Sequence, residues 1–282
     1  MSVVGAIATV HAPFIAGMPE LAPEPQRTAV NAGFGRLRAM LAELRPDVIV
    51  TVSSEHITNF LSDNAPGFAV STAGENPTQP EFGLPDRFVP GDSAFARGLV
   101  EFAQEQDFPL EGRKELYLDH GTNLPLSFLR PEYDIAVVPI IVNTVWAPFP
   151  STAQAHDLGS LLACYVDEKW HDTRVVLIGT GGISHWVGNR RHGDMNPDFD
   201  RWFVDLLMSS DDEALRNISD DDIDPGGDGA HEIRTWIAMS GAARIVGLQP
   251  EIVLDEEFVP GWNVGVHQLV WMLPDARKNH AL

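Results

Sequence analysis

Residues 3–10 read VVGAIATV, and this apolar run is the starting point for the fold class. A continuous β-branched run without polar alternation is typical of a strand that is buried on both faces, as in a parallel sheet. The run ends at His11, which is followed by Ala12 and Pro13. The sequence therefore predicts a central strand with a histidine just beyond its carboxyl end.

A helix and a second buried strand are predicted to follow. Apolar residues recur at spacings of three and four from Val30 to Leu44, and Pro46 closes this helical pattern. Residues 48–52, VIVTV, form the next apolar run, and His56 comes shortly after it. The order strand, helix, strand is the repeating unit of a parallel α/β sheet. Both strands thus have a histidine at the same end.

The rest of the chain continues the alternation of strands and helices. Further strands are expected at residues 135–142, 174–178 and 252–254. Further helices are expected at residues 92–106, which Asp92 can cap, at 151–170, which opens with a capping box, at 197–208, shortly after Ser210, and at 230–243. A long excursion rich in Pro, Gly and Asn is expected at 59–91, and a flexible acidic insertion at 209–229. We predict one α/β domain over residues 1–282, with a mostly parallel central sheet flanked by helices.

The composition disfavours several classes of partner. The chain has 40 acidic and 19 basic residues and a formal net charge of −21, which repels phosphate backbones, so nucleic acid is not an expected partner. No apolar run approaches the roughly 20 residues of a membrane span, so no membrane partner is expected either. The first basic residue is Arg27, which argues against a signal peptide and predicts a cytoplasmic protein. The single cysteine, Cys164, cannot form a cysteine-based metal site.

Three histidines are predicted to meet at one edge of the sheet. In open α/β sheets, ligands bind beyond the carboxyl ends of the strands. His11 and His56 lie there, and His185 follows the strand at 174–178 through the sequence GTGGISH, residues 179–185. A single histidine at a strand end is more often a hydrogen-bonded structural residue, but three at the same edge favour a functional site.

A metal ion at this edge would need further ligands. With one cysteine in the chain, the ligands must be imidazole and carboxylate, a set that suits Fe(II), Mn(II) or Zn(II). Glu232, at the start of the last predicted helix, is one candidate, although an acidic residue is also favoured there by the helix dipole alone. Glu55 and Asp119 are equally compatible with the spacing.

Other histidines are weaker candidates. His120 lies in the polar turn LDHGTNLP, residues 118–125, where it could be an acid–base group, a support for a ligand or an ordinary turn residue. His231 directly precedes Glu232, and adjacent helix residues point about 100° apart, so both cannot face one ion. The histidines without any supporting pattern are expected to be exposed or in ordinary packing: His156, His171, His192, His267 and His280.

Several sequence segments together resemble one known family. The segments are AIATVH (6–11), SEHITNF (54–60), DHGTNLPLS (119–127), VPIIVN (138–143), GTGGISH (179–185) and HEIRTWIAMSGA (231–242). In these segments the chain resembles the type III extradiol catechol dioxygenases of the LigB superfamily, which include the catalytic subunit of protocatechuate 4,5-dioxygenase. The resemblance covers nearly the whole chain, and the GTGGISH and DHG motifs are specific when they occur together.

The resemblance implies a function and a set of site residues. His11, His56 and Glu232 would bind Fe(II), His185 would be the catalytic acid–base residue, and His120 would be a second catalytic histidine near substrate or oxygen. The reaction would be extradiol cleavage of a protocatechuate-like, gallate-like or otherwise substituted catechol, or of an aminophenol, with both atoms of O₂ incorporated. The expected partners are this small aromatic diol, O₂, and either further copies of the chain or a separate small subunit.

Two alternatives remain from the residues alone. The same ligands could hold Zn(II) in a non-redox hydrolase, with His185 as the base for an activated water. The chain could also be a metal-binding relative without catalytic activity. Neither the ring substituent nor the oligomeric state follows from the sequence.

Overall fold

The structure, a computed structural model, describes residues 3–274, and these residues alternate between strands and helices. The strands are β1 (Val3–Thr9), β2 (Val48–Ser54), β3 (Phe68–Ser71), β4 (Glu75–Pro77), β5 (Phe88–Pro90), β6 (Leu110–Arg113), β7 (Ala136–Val142), β8 (Val175–Thr180), β9 (Gln249–Val259) and β10 (Val264–Met272). The α-helices are α1 (Phe14–Gly17), α2 (Glu24–Leu44), α3 (Ser93–Glu105), α4 (His120–Leu129), α5 (Thr152–Lys169), α6 (Pro197–Ser209), α7 (Asp212–Arg216), α8 (Asp220–Ile223) and α9 (Ile233–Val246). Short 3₁₀ turns cover Pro19–Leu21, Asp224–Gly226, Asp228–Glu232 and Pro260–Trp262.

One eight-stranded sheet forms the centre of the fold. Its strand order is β6-β3-β7-β2-β8-β1-β10-β9, while β4 and β5 form a separate pair. The central strands β7, β2, β8 and β1 run parallel to one another, and β10 runs antiparallel to both β1 and β9. The prediction of a single α/β domain with a mostly parallel sheet flanked by helices is confirmed.

The strand–helix–strand unit at the start of the chain forms as predicted. β1 and β2 are almost entirely buried, as expected for strands with helices on both faces. Between them, α2 packs Val30, Phe34, Leu37 and Leu41 into the core. The helix ends at Leu44 because Arg45 adopts a left-handed conformation and a proline follows.

Five strands were not predicted: β3, β4, β5, β6 and β10. β3 lies within the excursion at 59–91, where only four buried residues, FAVS, separate long loops, and it pairs antiparallel with β7. β9 extends well beyond 252–254, and β10 was missed altogether. The pattern of β10 is interrupted by Gly265 and by the polar residues His267 and Gln268, which are nevertheless buried. His267 is paired with Asp255 of β9 and lies beside Asp200 of α6, and the sequence does not reveal partners that come from other elements.

The acidic segment at 209–229 is not a loose insertion, contrary to the prediction. It folds into α7, α8 and two 3₁₀ turns, and Leu215 and Ile223 are buried. Its final glycines lie against His185, as described below. The acidic residues of the segment lie mainly on its exposed face, and flexibility was wrongly inferred from its overall charge.

Helices α5 and α9 cross at close range. The predicted capping box at Ser151 is present at the start of α5. A Cβ atom at Gly159 would overlap the carbonyl oxygen of Ala238, and one at Gly241 would overlap the carbonyl oxygen of His156. The glycines therefore allow contact between the two backbones and set α9 firmly on the sheet.

None of the helices within residues 3–274 is long and apolar enough to span a membrane.

Candidate functional site

Five predicted site residues line one cavity at the carboxyl edge of the sheet. His11, His56 and His185 follow the neighbouring strands β1, β2 and β8, as predicted. His120 is the first residue of α4, and Glu232 directly precedes α9. The cavity that they line has a volume of about 250 Å³. Residues that are far apart in the chain therefore meet at one place.

Glu232 lies between two imidazoles. Its Oε2 atom is 3.2 Å from His11 Nε2, and its Oε1 atom is 3.3 Å from His56 Nε2. The backbone N–H of Gly182 donates to Oε2 at 2.6 Å. Burial opposes ionisation, but the nearby His11 and His185 outweigh it and hold the pKa of Glu232 well below its usual range. The carboxylate is therefore charged and aimed at the histidines.

Glycines in β8 and the loop after it bring Glu232 to this position. A Cβ atom at Gly179 would lie 2.6 Å from the carbonyl oxygen of Thr235, and one at Gly181 would lie 2.9 Å from Glu232 Cβ. Only a glycine leaves room for the first turn of α9 to approach the sheet so closely. This is a physical reason for the GTGG sequence at residues 179–182.

His11 is held in one tautomer by a relay of hydrogen bonds. The hydroxyl of Thr180 donates to the carbonyl oxygen of Gly121 at 2.6 Å, so its oxygen can accept from His11 Nδ1 at 3.3 Å. The Nε2 atom then faces Glu232 Oε2, where a cation could bind between the two atoms. Burial, only partly offset by Glu232, lowers the pKa of His11 to about 4. The ring is neutral at pH 7, as a metal ligand must be.

His56 is oriented by a buried carboxylate. Its Nδ1 atom donates to Asp119 Oδ2 at 3.1 Å, which leaves Nε2 directed at Glu232 and 3.1 Å from Ser54 Oγ. Burial opposes protonation, but Asp119 and Glu232 outweigh it and raise the pKa of His56 well above 6.5. Burial tends to raise the pKa of Asp119, but the interaction with His56 outweighs it and lowers the pKa of that carboxyl group. A carboxylate behind a histidine is the usual support for a metal-binding imidazole.

The geometry separates the three carboxylates that the sequence left open. Glu55 Oε1 accepts hydrogen bonds from three successive backbone N–H groups, those of residues 58–60. Asp119 supports His56 and caps α4 through the N–H of Gly121. Glu232 contacts both histidines directly. Of the three, Glu232 is therefore the one whose oxygens could share an ion with His11 and His56.

His120 offers a competing third ligand. One ring nitrogen from each of His11, His56 and His120 lies within 4.8 Å of the other two. His120 Nδ1, however, is 2.7 Å from Glu81 Oε1, and the backbone N–H of His120 donates to the same oxygen. Glu232 lies within 3.3 Å of the Nε2 atoms of both His11 and His56, and it also carries the negative charge that stabilises a divalent ion. Glu81 itself had no sequence signal, because it lies in an irregular loop.

His185 is placed beside this cluster by glycines from the acidic segment. Its Nε2 atom is 3.8 Å from Glu232 Oε2, and its Nδ1 atom is buried without a hydrogen-bond partner among residues 3–274. The backbone of His185 bonds to those of Gly226 and Gly229. A Cβ atom at Gly229 would overlap the imidazole, and one at Gly182 would lie 2.6 Å from its Cε1 atom. The ring is held by close packing and keeps both nitrogens available.

Most of the outer cavity wall was missed by the sequence analysis. These residues come from four separate segments of the chain and are mainly apolar: Phe14, Phe82, Val187, His192, Trp262, Asn263 and Val264. His192 was expected to have no special role, but it lines the cavity. Loop residues without a periodic pattern carry no signal that would place them at a common site.

The remaining histidines lie elsewhere. His231 accepts from Arg234 at 2.8 Å and stacks on Phe149, which agrees with the prediction that it does not share an ion with its neighbour Glu232. His156 and His267 were expected to have no special partners, but His156 lies 3.2 Å from a carboxylate oxygen of Asp212 and His267 lies between Asp200 and Asp255. His171 is exposed as expected, and His280 lies outside the described residues.

Comparison with known proteins gives relatives over most of the chain. It is 25% identical to the 2,3-dihydroxyphenylpropionate/2,3-dihydroxicinnamic acid 1,2-dioxygenase of Rhodococcus globerulus over 294 aligned positions, 86% of this chain and 91% of that protein. It is 29% identical to the gallate dioxygenase of Pseudomonas putida over 156 positions, 54% of this chain and 46% of that protein. The uncharacterized protein JW3007 of Escherichia coli K12 shares the fold, with a TM-score of 0.62 at 20% identity over 95% of this chain and 99% of that one.

A family match covers the sheet and all five site residues. Residues 5–267 match the family described as the catalytic LigB subunit of aromatic ring-opening dioxygenase. The match extends from β1 into β10 and therefore includes every strand end that contributes to the cavity. The chain belongs to the LigB family and is an enzyme of the aromatic ring-opening dioxygenase class.

Proposed function

We propose that this chain, as one catalytic domain over residues 1–282, is an Fe(II)-dependent extradiol dioxygenase that cleaves a catechol-type substrate and incorporates both atoms of O₂. His11, His56 and Glu232 would hold the iron, and His185 and His120 would be the catalytic histidines. The observation that carries the proposal is the position of the Glu232 carboxylate, within 3.3 Å of the Nε2 atoms of both His11 and His56.

The donor set fits ferrous iron. Two imidazoles and one carboxylate that leave further positions open are the ligands of non-haem Fe(II) oxygenases. Each imidazole is supported through its other nitrogen, by Thr180 or by Asp119, and the carboxylate is supported by a backbone N–H. When bound, iron would hold the two substrate oxygens and dioxygen side by side and pass electrons between them.

The chain's own residues would bind the ring and move its protons. The apolar wall would pack against the aromatic face and exclude water from the reacting atoms. His185 Nε2 faces Glu232 Oε2 and is proposed to take a proton from a catechol hydroxyl and return one later. Acid–base catalysis of this kind is typically worth about 10²–10⁴-fold in rate.

His120 would act from a second direction. Its ring centroid lies 4.2 Å from that of His56 and 5.6 Å from that of His11, so it borders the same space. Glu81 holds its Nδ1 atom, which directs Nε2 away from that carboxylate. We propose that His120 Nε2 hydrogen-bonds to the substrate or to oxygen.

The set of three histidines favours a second candidate function. Three imidazoles with an open fourth position are the ligands of catalytic Zn(II), which lowers the pKa of a bound water. The chain would then be a non-redox hydrolase that uses His11, His56 and His120. Glu232 argues against this, because a metal held by the three histidines would meet Glu232 as a fourth donor, and that position would not be open for water.

One experiment separates the candidates. The purified chain is loaded anaerobically with Fe(II), or with Zn(II) as a control, and mixed with a series of catechols, one aminophenol and a chromogenic ester. Oxygen is then admitted, and oxygen uptake and the yellow ring-opened product are followed. Uptake with iron only, at one O₂ per product, is the expected result. Ester hydrolysis with Zn(II) would favour the hydrolase, and metal binding without any turnover would favour a non-catalytic relative.

The same sample tests the expected partners. Light scattering of the active protein shows whether it is a homo-oligomer. Full activity of the isolated chain would mean that no separate small subunit is required. Activity that appears only when a cell extract is added would indicate a missing subunit.

A further inference from the structure

The cavity wall beyond the metal-binding residues is apolar and aromatic. Phe82 meets the ring of His120 edge to face at 5.4 Å and the ring of Phe14 at 6.5 Å between centroids. Trp262 and Val264 also line the cavity, and both are buried. These side chains offer contact area to a ring and its substituent but no hydrogen bond.

Large apolar side chains are also exposed at the cavity. Phe82 is 39% exposed and Val187 is 46% exposed, and both line this space. Exposed apolar surface at a concave site is typical of ligand contact. An apolar substituent would cover these two residues, whereas a charged one would lose its hydration against them.

Cations do not line the cavity within residues 3–274. Apart from the metal-binding cluster and its histidines, His192 and Asn263 supply the polar side chains of the wall. Arg191, on the same loop as His192, stacks on Trp186 at 3.7 Å and donates to Asp194 at 2.8 Å. Its charge is therefore engaged elsewhere, and the described wall provides no arginine or lysine to pair with a carboxylate.

The surrounding charge is negative. Glu81, Asp119 and Glu232 lie close to the cavity histidines, and the whole chain has a net charge of −21. A second anionic group on the substrate would enter against this potential. An anionic substituent would therefore be disfavoured twice: it would be buried without a paired cation, and the negative charge of the protein would repel it.

The volume limits the size of the substituent. The cavity measures about 250 Å³, compared with the roughly 150 Å³ of an apolar protein cavity that holds one benzene molecule. A catechol ring with a small substituent fits this space.

We propose that the site selects catechols whose ring substituent is uncharged, such as hydrogen or a small alkyl group, and discriminates against ring carboxylates. The inference rests on the proposed ring cleavage and concerns the substrate class. It separates this chain from the relatives whose names specify gallate or 2,3-dihydroxyphenylpropionate, since both compounds carry a carboxylate.

Matched substrates test the inference. Protocatechuate carries a carboxylate where 4-methylcatechol carries a methyl group, and the methyl ester of protocatechuate has nearly the same shape without the charge. With the Fe(II)-loaded protein, kcat/KM for 4-methylcatechol and for the ester should exceed that for protocatechuate by at least about tenfold. Calorimetric titration of the Zn(II)-loaded protein should give the same order of affinity without any turnover.

A variant should reverse the preference. Val187→Arg places a cation at the cavity, and it should raise kcat/KM for protocatechuate at least about tenfold relative to 4-methylcatechol. The control is Ile245→Arg, because Ile245 is similarly exposed, at 48%, but lies near the far end of α9. This control should leave the ratio unchanged.

The outcomes distinguish the two claims. Equal or faster turnover of protocatechuate by the unaltered protein would overturn the inference while supporting ring cleavage. If no catechol is turned over but the calorimetric order holds, the inference about the cavity is supported and the proposed function fails. If none of the three compounds binds the Zn(II)-loaded protein, both are overturned.

Discussion

Glu232 shows how the groups around a carboxylate determine its role at this site. The spacing of the sequence left it equivalent to Glu55 and Asp119, since all three adjoin apolar segments. The structure gives each carboxylate a different set of donors: three backbone N–H groups for Glu55, a histidine and a helix N-terminus for Asp119, and two imidazoles for Glu232. A carboxylate's role is set by which donors surround it, and these are assembled only in three dimensions.

Replacing Glu232 should remove metal binding. In Glu232→Gln the charge is lost while the shape is kept, so we expect Fe(II) affinity to fall by at least about 100-fold, beyond the loss typical of a supporting residue. Competition with a coloured chelator measures it. Glu101→Gln, on an exposed position of α3, is the control. Unchanged affinity in Glu232→Gln would contradict the assignment and favour His120 as the third ligand.

Replacing His185 should slow turnover and spare metal binding. His185→Ala removes the proposed proton carrier, so kcat should fall by about 10²–10⁴-fold. Gly229→Ala should act in the same direction, because the added methyl group would displace the imidazole. Chelator competition should give nearly unchanged Fe(II) affinity for both variants.

Gly35→Ala serves as a control for the glycine substitution. An added Cβ atom at Gly35 meets no neighbour within 4 Å, and the residue lies within α2. The variant should keep full activity and fold at least as well as the original protein, because alanine is favoured in helices. If Gly229→Ala also kept full activity, the packing role assigned to Gly229 would be wrong.

At the scale of whole elements, the sequence predicted best where a pattern is long. β1, α2 and β2 have continuous periodic signals, and the strand-end rule therefore placed His11 and His56 correctly. β3 is too short for such a signal, and β10 holds buried polar residues that break it. The cavity wall depends on loops, whose paths follow from packing and not from local preference.

The loop between β4 and β5 is an element that sequence patterns could not assign. It carries Glu81 and Phe82 to the cavity, and Phe82 and Gly83 both adopt positive φ angles, of 51° and 73°. Two successive left-handed residues turn the chain sharply, so that Glu81 reaches His120 while Phe82 borders the substrate space.

Removing the Glu81 carboxylate should affect catalysis through His120. In Glu81→Gln the charged partner of His120 Nδ1 is lost, and kcat should fall roughly 10- to 100-fold as His120 shifts from its position. Fe(II) affinity and thermal stability should change little, because Glu81 does not contact His11 or Glu232. A purely structural role would instead lower the thermal stability, and the loss of activity would match the fraction of iron sites lost in an iron titration.

β10 is joined to β9 and α6 through the buried side chain of His267. Its Nδ1 atom donates to Asp255 at 2.9 Å, and its Nε2 atom lies 3.3 Å from Asp200 Oδ2 without good hydrogen-bond geometry. Burial opposes protonation, but the two carboxylates outweigh it and raise the pKa of His267 from 6.5 to about 9. Asp200 also accepts from the N–H of Ser184, next to His185.

Stability should therefore decrease at alkaline pH. The folded protein binds a proton on His267 more tightly than the unfolded chain, so this contribution is complete below pH 6.5 and is lost as the pH rises towards about 9. At 1.36 kcal/mol per pKa unit, it amounts to at most about 3 kcal/mol. Urea unfolding at several pH values measures it. His267→Gln should show a smaller slope, with the part due to the raised pKa of His56 retained, and an equal slope in both proteins would exclude His267 as a source.

At the scale of the whole molecule, the proposed metal would connect distant parts of the chain. His11, His56 and Glu232 follow β1, follow β2 and precede α9, so their ligand atoms meet only when the sheet and its helices are assembled. The unfolded chain has no such site. Metal binding is therefore coupled to folding.

Metal should raise the thermal stability of the protein. At a free metal concentration about 100 times Kd, the free energy of unfolding should increase by about 2.7 kcal/mol, which is a shift in Tm of several degrees. Calorimetric scans with Zn(II), and after addition of a chelator, measure this shift. Glu232→Gln should show a much smaller one. An equal shift in the variant would indicate that the metal binds elsewhere.

The crossing of α5 and α9 has a consequence for anyone who surveys this enzyme by random substitution. Because the backbones touch at Gly159 and Gly241, any larger residue there would push α9, and with it the acid that precedes it, out of place. A screen that scores only active or inactive clones would therefore rank these two glycines beside the positions proposed to bind the metal. Only a second assay, such as the amount of folded protein per cell, would show that one group builds the scaffold and the other performs the chemistry.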